Sequence, residues 1–125
     1  MAKLTLQELI AQKSEIEKKK SARYEITTSI GEIICVTPDA ALYSELLDSR
    51  EDTFKTNCKM LYSCCVEPDL TDGDLRKVYG CFEPTDIVAK IFLPGEISKI
   101  CDELMRLSGF RERPVAKLVE TVEKN

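Results

Sequence analysis

VEPDLTDGDLRKVYGCFEPTDIVAKIFLPGEI, residues Val66 to Ile97, is the part of the chain with the densest structural signals. It contains three of the five prolines and three of the five glycines in the chain. Proline suits the first turn of a helix, and glycine suits the position just past a helix end. The apolar residues between these breakers therefore predict three consecutive helices.

The first two of these predicted helices are short. Thr71 is the expected N-cap of the first helix, with Asp74 three residues later, and Gly80 stands where a left-handed C-terminal cap is expected. Pro84 and Thr85 begin the second helix. The predicted buried residues are Leu75, Val78 and Tyr79 in the first helix and Ile87, Val88 and Ile91 in the second.

The third predicted helix has the clearest apolar face. It begins at Pro94, and Gly109 closes its end. Its apolar residues recur at helical spacing and are expected to face inward. They are Ile97, Ile100, Cys101, Leu104 and Leu107.

The order of these motifs resembles the XkdN-like family of phage tail assembly chaperones. The likeness rests on VEP, then D..L...YG, then EPTDIV.KIFLPGEI, and extends more loosely to LTLQELI, to Tyr24–Val36 and to the terminal KN. The resemblance implies a non-catalytic chaperone of contractile-tailed phages or phage-derived particles. It also implies two partners, the tape measure protein and the tail tube protein. It brings no matched binding residues.

The segments before Val66 predict further helices around one β-hairpin. A capping box at Thr5 to Glu8 begins a helix that is expected to run to about Lys18. Apolar and polar residues then alternate from Tyr24 to Thr28, which is typical of a half-buried strand. Gly31-Glu32 is the expected type II′ turn before a return strand over Ile33 to Val36.

Two more helices are predicted between this hairpin and Val66. Thr37-Pro38-Asp39 begins one, and the other begins at about Thr53. Their predicted inward residues are Leu42, Tyr43, Leu46 and Leu47 in the former and Phe54, Cys58, Leu61, Tyr62 and Cys65 in the latter. The sequence as a whole predicts a mainly α fold with one β-hairpin, of the α+β class, as a small single-domain helical bundle over residues 1–125.

Composition excludes several classes of function. With 43% hydrophobic and 32% charged residues, the chain is expected to fold as a globular domain. It has no apolar run of the roughly 20 residues that a membrane helix needs, and its amino terminus lacks the apolar core of a secretory signal. A cytoplasmic location is therefore expected. The net charge of −4 argues against nucleic acid as a partner.

The chain also lacks the residues of common catalytic and metal sites. Histidine is absent, which removes Ser-His and Cys-His pairs, and no enzyme activity or cofactor is predicted. The six cysteines include no C-x-x-C pair, so buried, reduced thiols are expected in place of a metal site. The acidic residues Glu67, Asp69, Asp72 and Asp74 lack calcium-loop spacing and are interpreted as caps and a solvated turn.

The segment after Gly109 is the candidate partner-binding region. Arg111 to Pro114 forms a charged joint, and residues 111–125 are a candidate mobile terminal segment. An apolar stripe is expected on a last short amphipathic segment, at Val115, Leu118, Val119 and Val122. The stripe either contacts a partner or docks on the core of its own chain.

Three functional hypotheses are consistent with these patterns. The first is the tail assembly chaperone, which binds the tape measure and tail tube proteins. The second is a generic acidic adaptor that binds a partner helix in a groove, and the third is a thiol-based metal or redox protein. The oligomeric state, including self-association, is left open by the sequence.

Overall fold

Seven helices and three strands follow one another along residues 2–110 and 113–121, the residues that the computed structural model describes. The mixed α+β class predicted from the sequence is confirmed. The helices are α1 (Leu6–Ala11), α2 (Lys13–Lys20), α3 (Ala40–Asp48), α4 (Thr53–Cys64), α5 (Gly73–Val78), α6 (Asp86–Ile91) and α7 (Pro94–Leu107). The strands are β1 (Arg23–Thr28), β2 (Gly31–Val36) and β3 (Cys65–Glu67).

The predicted hairpin is present, but its turn lies two residues earlier than expected. Thr28 pairs with Gly31, so Ser29 and Ile30 make the turn, and the expected Gly31-Glu32 turn is wrong. The Thr28 hydroxyl donates to the Gly31 carbonyl at 2.6 Å and accepts from the Ile30 N–H at 3.3 Å, which closes the turn. Gly31 has φ +143°, a backbone conformation that favours glycine, directly after the turn.

A third strand extends the hairpin to a sheet of order β1-β2-β3. Sequence reasoning placed Cys65 on the buried stripe of the preceding helix. Instead, α4 ends at Cys64, and Cys65 adopts an extended conformation and pairs with Cys35 of β2. The described part of the chain places no strand beside the outer edge of β1.

The core forms where α7 packs against α4 and α6 beside the sheet. Four of the five predicted inward residues of α7 are buried, and Leu107 is half-buried. The sheet adds Ile33 and Cys35 to this core, and α6 adds Ile87 and Val88. The residues that α4 contributes are Cys58, Met60, Leu61 and Cys64.

Glycine closes two of the helices as the sequence predicts. Gly80 has φ +63° and Gly109 has φ +90°, both in the left-handed region. At the end of α5, the Gly80 N–H donates to the carbonyl of Lys77 and the Cys81 N–H donates to the carbonyl of Arg76, each at 3.1 Å. This pair of hydrogen bonds is a Schellman motif, which satisfies carbonyls that the helix leaves free.

The N-caps differ from the predicted residues at two helices. Asp72, not Thr71, caps α5, and its carboxylate accepts from the backbone N–H groups of Asp74 and Leu75. Asp39, not Thr37, caps α3, accepting from the Leu42 N–H at 2.8 Å. Aspartate is at least as good a cap as threonine, and in each case it lies closer to the first helical turn.

Several residues predicted to face inward are exposed. Leu47 is 65% exposed, Phe54 is 41% exposed and Val78 is 80% exposed. Of the predicted α5 stripe, only Leu75 packs against the core, because α5 is too short to press more than one turn against its neighbours. In the last turn of α3 it is Leu46 that faces the core, and the neighbouring Leu47 therefore points to solvent.

The cysteines act mainly as small core residues. Five are buried, and only Cys81 is half-buried. Burial raises the pKa of Cys64 and of Cys101 to about 12, so both thiols stay protonated at neutral pH. The Cys101 thiol also donates to the Asn57 carbonyl at 3.3 Å, which ties α7 to α4.

The Leu104 side chain is fully buried, so Leu104→Ala is expected to lower the free energy of unfolding by about 2 to 5 kcal/mol. Lys99→Ala, on the exposed side of the same helix, is expected to change it by less than about 0.5 kcal/mol. Denaturant unfolding followed by circular dichroism measures both values. Equal losses from the two variants would contradict the assignment of the inward face.

Cysteine alkylation tests the burial of the thiols. We expect one cysteine of the native protein, Cys81, to react quickly with iodoacetamide, because the thiolate is the reacting species and the other five side chains are buried. All six should react after unfolding. Intact mass spectrometry counts the modified thiols at each time, and rapid native modification of Cys64 or Cys101 would show that the core is not packed as described.

Candidate functional site

The polar residues singled out in the sequence serve local structure. The Asp69 carboxylate accepts from the Thr71 hydroxyl at 2.5 Å and from the Thr71 N–H at 3.0 Å, and these hydrogen bonds lower its pKa. Asp72 is the α5 cap. Within residues 2–110 and 113–121, no three His, Cys, Asp or Glu side chains form a group suited to a metal ion. The acidic cluster thus builds a turn.

The described helices include none with the length and apolar character to cross a membrane. The described residues also form surfaces, with exposed apolar side chains or a depression, that are candidate contacts for another protein chain. Four such surfaces stand out from the burial of the side chains and from the shape of the molecule.

The first surface is the predicted terminal site. Val115 is 97% exposed, Leu118 is 79% exposed and Val119 is 86% exposed. Residues 113–121 contain no regular secondary structure, so the amphipathic helical segment expected from the spacing is wrong for these positions. A helix this short gains little from its own hydrogen bonds, and no packing stabilises it here. Val122 lies outside the described residues.

The second surface is a groove between β1 and α7, called the β1–α7 groove below. It has a volume of about 530 Å³. Ile26 and Ile100 supply apolar surface from its two sides, and Leu93 adds an apolar rim that is 63% exposed. Charged groups of α7, Glu96 and Lys99, flank this apolar surface. The groove follows the open edge of the sheet.

One pair of hydrogen bonds holds the two sides of this groove together. The Glu96 carboxylate accepts from the Ser29 N–H at 2.7 Å and from the Ser29 hydroxyl at 3.2 Å. Ser29 lies in the hairpin turn and Glu96 in the first turn of α7. The bonds therefore fix the tip of the hairpin at the start of α7 and leave the edge of β1 beside the groove.

The face of the hairpin that points away from the core carries two close carboxylates. Glu25 of β1 pairs with Ile34, and Glu32 of β2 pairs with Thr27, so the two acids are diagonal neighbours on the face away from the core. Hydrogen bonding to Glu32 and repulsion from its negative charge raise the pKa of Glu25. A cation beside Glu25 would relieve this repulsion.

The third surface lies at the other end of α7, around Phe110. The rings of Tyr43 and Phe110 are 4.7 Å apart between centroids, and Leu107 and Lys20 border the same depression of about 510 Å³. Phe110 is 48% exposed. This contact fixes the point at which the chain leaves α7 toward the terminal segment.

The fourth surface is the N-terminal arm, formed by α1 and α2. Neither helix contains a buried residue, and Leu6 and Ile10 are 74% and 70% exposed. One helix was predicted from Thr5 to about Lys18, and the structure has two short helices in its place, which meet at Gln12 and end at Lys20. The Thr5 hydroxyl caps α1 by accepting from the Glu8 N–H at 3.1 Å.

Sequence reasoning proposed the terminal residues as a contact and did not predict the β1–α7 groove. It assigned Ile26 to a half-buried strand and Ile100 to a buried face, and both assignments hold. The groove forms where β1 packs beside α7, and these two segments are about 70 residues apart in sequence. The local pattern of either segment does not predict that the two are neighbours. The sequence does offer one sign of this groove, which is the apolar Leu93 directly before the proline that begins α7.

Comparison with known proteins gives one match. Residues 11–123 match the family model of the phage XkdN-like tail assembly chaperone protein. No curated protein sequence and no solved structure matches the chain. The family match spans every described element from α2 onward and continues to residue 123, whereas all of α1 except Ala11 lies before it. The chain therefore belongs to the XkdN-like family of phage tail assembly chaperones.

Proposed function

We propose that the chain binds the tape measure and tail tube proteins in the host cytoplasm while a phage tail, or a related contractile particle, is built. Its role is to cover apolar surface on these partners until they are assembled, without catalysis. Membership of the tail assembly chaperone family supports this role. The absence of histidine and the protonated, buried Cys64 and Cys101 thiols fit a protein that works by binding.

The observation that carries the proposal is the exposure of the terminal segment. Val115, Leu118 and Val119 lie close together in sequence, and each exposes at least 79% of its surface. Apolar side chains grouped in this way are typical of a contact site for another protein. We assign the partner contact to Val115, Leu118, Val119 and Val122, although the last lies outside the described residues.

A tape measure protein fits such a contact by its chemistry. It is expected to be long and helical, with apolar faces that need cover before the tube encloses them. A short extended segment with valine and leucine side chains can lie against an apolar helix face without being folded beforehand, although ordering it on binding costs free energy. Affinity for any one site should then be modest, which suits a chaperone that must later release its partner.

Deletion of Val115 to Asn125 tests this assignment. The deleted residues that the structure describes make no core contact, so the melting temperature should stay close to that of the full chain. Co-purification with the tape measure protein from co-expressing cells should be lost. Undiminished binding by the truncated chain would eliminate the terminal segment as the contact.

A triple substitution gives a finer version of the same test. Val115→Ser, Leu118→Ser and Val119→Ser together remove the apolar groups and keep the chain length. The matched control replaces three apolar residues that are similarly exposed on α3, on α5 and after α5. These are Leu47, Val78 and Phe82, each changed to Ser. Binding should fail only for the terminal variant, and equal loss in both would show that no particular patch is used.

A further inference from the structure

Two features of the single chain are incomplete. The outer edge of β1 has no strand partner among residues 2–110 and 113–121, and the apolar terminal segment packs against nothing there. An open strand edge presents unpaired backbone groups, which natural proteins cover or disrupt. β1 contains no proline and pairs with β2 without a register shift, so its edge lacks two of the usual protective devices.

The terminal segment has no helix over residues 113–121, and its composition is compatible with an extended strand. In an extended conformation, successive side chains point to opposite sides. Val115, Lys117 and Val119 then share one side, and Ala116, Leu118 and Glu120 share the other. Valine, leucine and threonine make up much of residues 115–121, a composition compatible with a β-strand.

The dimensions of the two features agree. The described terminal residues 113–121 span about 30 Å when extended, and the six residues of β1 span about 20 Å. Pro114 lies at the start of the segment, where it would leave the later backbone N–H groups free for pairing. Six residues, 116–121, can therefore lie along the whole of β1.

Charge favours one register. The outward face of the hairpin carries the close carboxylates Glu25 and Glu32. In the extended terminal segment, Lys117 lies on the same side as Val115 and Val119. Lys117 placed beside Glu25 would neutralise part of this negative charge. In that register Ala116 and Leu118 point to the opposite face, toward the β1–α7 groove with Ile26 and Ile100.

We propose that the terminal segment of a second copy of this chain adds as a strand to the outer edge of β1, with Lys117 beside Glu25 and Leu118 in the β1–α7 groove. The exchange is reciprocal, so one two-fold dimer completes both edges and encloses both Leu118 side chains. Backbone hydrogen bonds supply affinity, and the groove supplies specificity for Leu118. The second copy is favoured over the same chain because the single chain leaves its own segment exposed.

This inference goes beyond the proposed function and can be tested without any tail protein. The dimer would hold the same apolar residues that the proposal assigns to the tape measure contact. Partner binding and self-association would then compete for one segment. The free chaperone would thereby keep Leu118 covered, and the backbone of the segment paired, until a partner is available.

Analytical ultracentrifugation of the purified full chain tests the dimer. A monomer of 14.1 kDa and a dimer of twice that mass should interconvert with protein concentration. The chain lacking Val115 to Asn125 should remain monomeric, with an unchanged circular dichroism spectrum in its helical bands. A full chain that is monomeric at its highest soluble concentration, or a truncated chain that dimerises equally, would overturn the proposal.

Charge reversal tests the register with variants that keep the fold. Glu25 and Lys117 both lie in exposed positions. Glu25→Lys and Lys117→Glu should each weaken the dimer by about tenfold, since two pairs per dimer become repulsive. The double variant should restore dimerisation. Glu45→Lys, the same charge change on an exposed residue of α3, serves as control and should have no effect.

Amide hydrogen exchange locates the contact. Protection of β1 and of residues 115–121 should rise together with protein concentration in the full chain, and protection of β1 should not rise in the truncated chain. Dimerisation with no concentration-dependent protection of β1 would overturn strand addition. Single charge variants that dimerise as well as the control, or a double variant that does not recover the dimerisation lost in the single variants, would overturn the proposed register.

Discussion

Burial of one face of α7 against α4 and α6 is the interaction on which the rest of the structure depends. Ile97 and Leu104 of α7 are fully buried, and so is Leu61 of α4. Large apolar side chains stabilise a fold by about 1.5 to 3 kcal/mol each when removed from water. The hairpin is stable only because this helical layer covers its inner face, since an isolated hairpin is marginal in water.

The same packing explains why the chain has a buried core together with exposed apolar residues near both ends. The core is formed by apolar residues between Ile33 and Leu104, and it includes none of the described residues of α1, α2 or 113–121. Leu6 and Ile10 at one end and Val115 and Leu118 at the other remain exposed. A chaperone needs apolar groups that are free to contact a partner. Because the core is stable without these residues, leaving them exposed does not destabilise the fold.

Local signals predicted most of the core and few of the surfaces. The breakers Gly80, Pro94 and Gly109 act within one or two helical turns, so their positions fixed real helix ends. The spacing of Ile97, Ile100 and Leu104 likewise reported a long, regular face. The predicted burial of Val78 and Leu47 was wrong. In a short helix or a last turn, helical spacing does not show whether a neighbouring element extends far enough to cover the side chain.

The missed features arise from contacts between distant segments. β3 has three residues, too few for an alternating pattern, and Cys65 continues the helical spacing of α4 until pairing with Cys35 extends the backbone. The β1–α7 groove joins two distant segments, which hydrogen bonds from Ser29 to Glu96 connect. Val115 and Val119 keep helical spacing in the sequence, yet both are exposed, and residues 113–121 form no helix.

We propose the exposed terminal residues as the contact with tail proteins. The most direct measurement places a photo-reactive amino acid at Leu118 in cells that are assembling tails, with Leu47 as the exposed reference position. Irradiation should cross-link position 118 to the tape measure protein and leave position 47 without such a product. Cross-linking to the tape measure protein from position 47 but not from position 118 would contradict the account.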